Sequence, residues 1–396
     1  MRIGNTLYLD HQATTPTDPR VVSAMTPYFV ELFGNPHSAD HVLGWQSAQA
    51  VELAAAKVAS LIGADPDEII FTSGATEANN LALLGVARRA TGGKRRRILV
   101  SSVEHKCVLE AARKIKEQLA YRVEIVPVDE NGFVVFPTLV DALDDDVLVV
   151  SIMAANNEIG TIQDVENLSK AIARHGALFH CDAAQATVAV DLHNISHFAD
   201  FVSLSAHKMY GPKGIGALFV RRDLQGRLEP LIYGGGQQNG LRSGTIPTPL
   251  CVGMAAAADL LNGGEADVER AALCQRSERF ITGLRQLPQD ISVNGVLGPS
   301  RHPGNANVCF KGYSAHDILA ALQPKLAAST GSACTSGIQE PSHVLRAIGL
   351  SSEDADASIR FSLGRFTTDE DVDQAIELIA QTLSKLEKSR SDVHRA

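Results

Sequence analysis

Two apolar runs in the sequence end in residues able to do chemistry. Ala177-Leu178-Phe179-His180-Cys181-Asp182 closes on a carboxylate, and Phe201-Val202-Ser203-Leu204-Ser205 leads directly into Ala206, His207 and Lys208. In a parallel α/β sheet, ligands gather beyond the carboxyl ends of the strands. An acid and an amine delivered from two such ends suit pyridoxal phosphate. Lys208 would hold it as a Schiff base, and Asp182 would keep the pyridinium nitrogen protonated so that the ring remains an electron sink. Alone, either residue also reads as an ordinary surface lysine or a capping aspartate; the pairing gains weight from what accompanies it.

A phosphate needs backbone amides and hydroxyls. Phe71-Thr72-Ser73-Gly74-Ala75-Thr76-Glu77 passes from strand to helix through small residues, and the free amides at such a helix start form an anion cradle. Ser and Thr favour helix starts in any case, so this signal is weak by itself. Ser205 and His207 would add side-chain donors to the same phosphate. A fourth feature is Cys334, set in Ala328-Ser329-Thr330-Gly331-Ser332-Ala333-Cys334-Thr335-Ser336-Gly337. With no large apolar side chain to anchor it, that stretch reads as a pliable loop presenting an exposed thiol, the setting of a nucleophile that must travel. The other cysteines, with apolar neighbours, read as inert packing.

The elements that must position these groups alternate β and α. Strand candidates are Glu68–Thr72, Arg97–Ser101, Arg122–Val128, Val147–Met153, Ala177–Asp182, Phe201–Ser205 and Gly216–Val220. Several are rich in Val, Ile and Leu without polar alternation, as strands covered on both faces require. Helix candidates Ala75–Ala90, Lys106–Leu119 and Val165–His175 lie between them, which predicts a mostly parallel sheet. Upstream, Val51, Ala55, Val58 and Ile62 form one apolar helical stripe. A composition shift at Leu261-Asn262-Gly263-Gly264-Glu265 marks a boundary. Beyond it come a charged helix near Ala266–Leu287 and a final helix near Asp369–Lys388. The expected division is a large unit of residues 16–262 and a smaller α+β unit of residues 1–15 and 263–396.

Composition narrows the function. The 396 residues carry a formal net charge of −9, which argues against a nucleic-acid binder. The basic run Lys94-Arg95-Arg96-Arg97 reads as a solvated loop. No apolar run approaches the roughly 18 residues that span a bilayer. The six cysteines are scattered, with no CxxC pair and no zinc-site spacing, so neither a disulfide framework nor a metal site is expected, and a cytoplasmic, reducing setting is. Gly211-Pro212-Lys213-Gly214-Ile215-Gly216 lacks the spacing and context of a nucleotide loop.

Taken in order, the segments TSGATEANN, NNEIG, DxxQ with Asp182, SxHK with Lys208, GGGQQNGLRSGT and TGSACTSG closely resemble the pyridoxal-phosphate cysteine desulfurases of the class V aminotransferase family, in the group with a Ser-Ala-Cys loop. The likeness runs from Tyr8-Leu9-Asp10 to about Lys388. It implies the fold type I of pyridoxal-phosphate transferases, with a seven-stranded, mostly parallel sheet. It further implies that Lys208 carries the cofactor, Asp182 meets the ring nitrogen, Gln185 the ring hydroxyl, and Ala75, Thr76, Ser205 and His207 the phosphate. Thr245 would reach the phosphate of a second subunit, making a homodimer. His105 would stack on the ring and move protons, while Asn156 and Arg360 would grip the substrate carboxylate. The implied activity converts L-cysteine to L-alanine and leaves the sulfur on Cys334 as a persulfide, for transfer to an acceptor protein such as an iron–sulfur scaffold. A selenocysteine lyase or another aminotransferase of the same fold is the alternative. His11-Gln12 and Gln238-Asn239 depart from the pairs usual in that group.

Overall fold

The structure is a computed structural model that describes residues 1–331 and 341–393. Seven of its strands form one sheet: β1 (Ile69–Thr72), β2 (Arg97–Ser101), β3 (Arg122–Val126), β4 (Val147–Ser151), β5 (Leu178–Asp182), β6 (Phe201–Ser205) and β7 (Gly216–Val220). Their order across the sheet is β1-β7-β6-β5-β4-β2-β3. All neighbouring pairs are parallel except those made by β7, which runs against both β1 and β6. Strand alternation sends Ile98 and Val100 to one face and Leu99 to the other, each face having its own apolar cluster. One face is covered by α1 (Val42–Ile62), α4 (Val165–Arg174) and α5 (Thr248–Asp259), the other by α2 (Ala75–Arg89) and α3 (Lys106–Leu119). On α1, Ala55, Val58 and Ile62 of the expected stripe are buried and Val51 is half-buried.

Differences at strand ends have local causes. The apolar run of β4 continues to Met153, but the strand stops at Ser151 because the Met153 amide turns to the Glu104 carboxyl (2.7 Å) instead of a neighbouring strand. The basic run is not a solvated loop: Arg95, Arg96 and Arg97 are half-buried. Arg95 donates to the carbonyls of Val147 and His175, Arg96 lies over the Tyr121 ring, and Arg97 pairs with Asp146 and Glu124. Gln238 has a structural task as well. Its amide pairs with both backbone groups of Phe71 (2.7 and 3.0 Å), closing the open edge of β1.

A third apolar cluster gathers Leu7, Leu9, Phe280, Phe310, Phe361 and Ile379. It lies around an antiparallel sheet of β8 (Ile291–Val293), β9 (Asn305–Phe310) and β10 (Ser358–Ser362). Helices α6 (Gly264–Arg285), α7 (Ala315–Leu322) and α8 (Asp369–Val393) supply most of its other apolar side chains. The last of these runs five residues past the expected end.

Candidate active site

The carboxyl ends of β5 and β6 lie side by side, with Asp182 opposite Ser203 and the chain continuing through Ser205 to Lys208. Beneath them His180 is fully buried, its ring nitrogens meeting the hydroxyls of Ser151 (2.8 Å) and Ser203 (3.0 Å). Burial pushes this imidazole down to about 4, so it is a neutral brace that ties three strands under the site. Above the strand ends opens a cavity of about 570 Å³, and one wall is the start of α2. Gly74, the residue before that helix, makes no capping bond through a side chain and has φ 152°. Gly216 packs against it so closely that a Cβ there would sit 2.6 Å from Gly74 Cα. The helix amides therefore face the cavity unshielded, as an anion site requires.

Nine of the expected residues line this one cavity: Ala75, Thr76, His105, Asp182, Gln185, Ser205, His207, Lys208 and Arg360. Asp182 is held by Asn79 Nδ2 (2.7 Å) and by the Ala184 amide (2.9 Å). The Lys208 ammonium donates to the carbonyls of Gln12 and Ala13, at 2.8 Å for the latter. Gln185 also donates to the Gln12 carbonyl (2.9 Å). His207 meets the Thr14 hydroxyl (3.1 Å); burial, with the charges of Lys208 and Lys213 beside it, lowers it to about 4. Arg360 comes from β10, pairs with Asp10 (2.8 Å) and donates to the Asn157 carbonyl (2.9 Å). Its Nε is buried and has no partner among the described residues.

Two expected residues do not reach the cavity. Asn156 is fully buried with its amide spent on the loop: Nδ2 donates to the Val103 carbonyl, and Oδ1 accepts the amides of Glu158 and Ile159. The wall there is made by Asn157 and Glu158 instead. Thr245 is exposed and is not among the residues that line it. Cys334 lies outside the described residues, but Gly331 and His343, on either side of its segment, both line the cavity.

Several site residues were not singled out from the sequence. Asn79 stands four residues after Ala75, one helical turn along the same face, a spacing that would have found it. Glu104 is fully buried next to His105; burial, reinforced by the Asp182 charge, pushes it up to about 8. Cys107 corrects the reading of the remaining cysteines as inert packing. The residue lines the cavity, and its thiol meets His105 Nδ1 at 3.0 Å and Asn79 Nδ2 at 3.2 Å.

The class-V aminotransferase profile matches residues 7–375. Cysteine desulfurase IscS of Rickettsia akari (strain Hartford) is 46% identical over 384 residues, covering 96% of this chain and 92% of that protein. The same enzyme of Rickettsia prowazekii (strain Madrid E) is 45% identical with the same coverage. Among solved structures, a NifS-like protein superposes with a TM-score of 0.89 at 34% identity, covering 96% of this chain and 99% of that one. A structure of SspA in complex with cysteine gives 0.80 at 34% identity, over 92% and 100%. With strand ends, cavity and sequence in agreement, the chain belongs to the class-V aminotransferase family, in its cysteine desulfurase group.

Proposed function

We propose that this protein is a pyridoxal-phosphate-dependent cysteine desulfurase that moves the sulfur of L-cysteine onto Cys334. One observation carries the reading: Lys208 and Asp182, from adjacent strand ends, open into a cavity whose rim includes both flanks of the Cys334 segment. The residues fit the cofactor. The uncapped start of α2 with Ser205 and His207 suits its phosphate, the braced Asp182 its ring nitrogen, and Gln185 its hydroxyl. When bound, the cofactor supplies an electron sink for charge built up on an amino acid's α-carbon.

The chain's own groups do the rest. Arg360, with Nε unpaired, orients the substrate carboxylate. His105, in the cavity wall at the start of α3, would stack on the ring and handle protons. Asn156 acts on the carboxylate through the loop it holds, since its own amide is engaged. Cys334 thiolate attacks the cysteine sulfur; a sulfur–sulfur bond forms, the carbon–sulfur bond breaks, and the carbon gains a proton to give alanine. The persulfide then passes to an acceptor protein such as an iron–sulfur scaffold.

The acting unit is proposed to be a homodimer in the cytoplasm. Phe29, Val30, Phe33 and Trp45 are 58–67% exposed, a large apolar surface for a monomer, and the exposed Thr245 suits contact with a second copy's phosphate. The five described cysteines are free, which suits a reducing compartment. The separate third apolar cluster supports a smaller unit of residues 1–15 and 263–396 beside the large one of residues 16–262. In the decisive test, Cys334→Ala keeps the visible absorbance of the bound cofactor but forms no persulfide and releases no alanine from cysteine. Full activity in that variant refutes the reading.

A further inference from the structure

We infer that Cys107 is a positioning residue that fixes His105 as its Nε2–H tautomer, so that the imidazole meets the cavity as a proton donor. The inference rests on the placement of His105 beside the cofactor given above. His105 is the residue before α3, and its Nδ1 accepts the Cys107 backbone amide at 3.2 Å. An amide N–H can only donate, so Nδ1 must keep its lone pair and the neutral ring must carry its proton on Nε2. The Cys107 thiol lies 3.0 Å from the same nitrogen. Asn79 Nδ2 approaches the sulfur from elsewhere (3.2 Å) while also donating to Asp182 (2.7 Å). With a donor already on the sulfur, the favourable use of the thiol hydrogen is toward Nδ1. Burial pushes the thiol up to about 12, so that hydrogen is retained at neutral pH.

Two donors thus converge on Nδ1 from one residue, and burial, opposed by the Asp182 charge and aided by Lys208, His343 and Lys106, acts with them to keep His105 neutral. The ring edge opposite Cys107 then offers N–H, and His105 lines the cavity. A proton leaving Nε2 goes to a group bound there, and His105 cannot accept a proton at Nε2 before it has given one. Asn79 joins this arrangement to Asp182, linking the carboxylate to the proton donor through one amide and the Cys107 sulfur.

The test is 15N NMR of the histidine-labelled full-length protein, with and without bound cofactor, the His105 signals being assigned by loss in His105→Gln. The wild type should show protonated Nε2 and unprotonated Nδ1. Cys107→Ala, which loses the thiol donor, should raise the His105 titration midpoint by about half a unit, the worth of one neutral hydrogen bond. Cys107→Ser should restore it. A proton on Nδ1 in the wild type, or a midpoint unmoved in Cys107→Ala, overturns the inference. Desulfuration is measured separately on the same samples: its absence with the expected tautomer refutes the proposed function and leaves this inference standing.

Discussion

A fully buried carboxyl group sets the residue-scale energetics. Glu104 Oε1 accepts the Ser101 hydroxyl and the Met153 amide, while Oε2 is buried with no partner among the described residues. Its raised value means that the folded protein holds a proton that the unfolded chain releases between about 4.5 and 8. Stability therefore falls as pH rises through that window. Glu104→Gln removes this slope, so relative to wild type it should gain a few kcal/mol between pH 5 and pH 8, at about 1.4 kcal/mol per unit. Urea melts at the two pH values check this; parallel pH trends in both proteins contradict it. Lys208 and Asp182 were legible from residue type and position because strand ends advertise their chemistry. Glu104 was not, since nothing in one carboxylate's sequence neighbourhood states that it will be buried. Asn156 was identified by resemblance, but the sequence does not show that its amide is spent on Val103, Glu158 and Ile159.

At the scale of elements, the junction of α2 with β7 shapes the proposed anion cradle. A Cβ on Gly216 would lie 2.5 Å from the Leu204 carbonyl oxygen and 2.6 Å from Gly74 Cα, both of them backbone atoms that cannot swing aside. Gly216→Ala should therefore displace the start of α2, weakening cofactor binding about tenfold or more and costing roughly 1–3 kcal/mol of stability. Cofactor titration and thermal melts read the two effects; unchanged affinity would show that the cradle does not depend on this contact. Strand existence was written in uninterrupted runs such as Val147-Leu148-Val149-Val150. The direction of β7 was not, because a strand buried on both faces has the same hydrophobic pattern whichever way it runs.

Across the whole molecule, an ion cluster ties the first residues to the last third of the chain. Arg365 is nearly buried, donates to Asp18 (2.9 Å) and Glu269 (2.9 Å), and lies 4.3 Å from the Tyr210 ring centroid. Asp18, bonded by Arg20 and then Arg365, is held well below the usual carboxylate range. Its contribution is present above the ordinary carboxylate value and is lost as pH falls below it. Arg365→Met strips one partner from a buried acid and should cost about 3 kcal/mol, the low end for such a break because Arg20 remains. A change below about 1 kcal/mol in denaturant unfolding would show that Arg20 suffices. No local pattern reveals such a cluster, since its members are 347 residues apart.

The central claim is that sulfur leaves carbon for Cys334. Mixing the holoenzyme with L-cysteine, without reductant or acceptor, and following alanine release alongside the mass of the Cys334 peptide tests it directly. The holoenzyme should release a burst of alanine equal to the number of chains that gain one sulfur atom at Cys334. Alanine formed with Cys334 unmodified, or sulfide released in place of the persulfide, would contradict it.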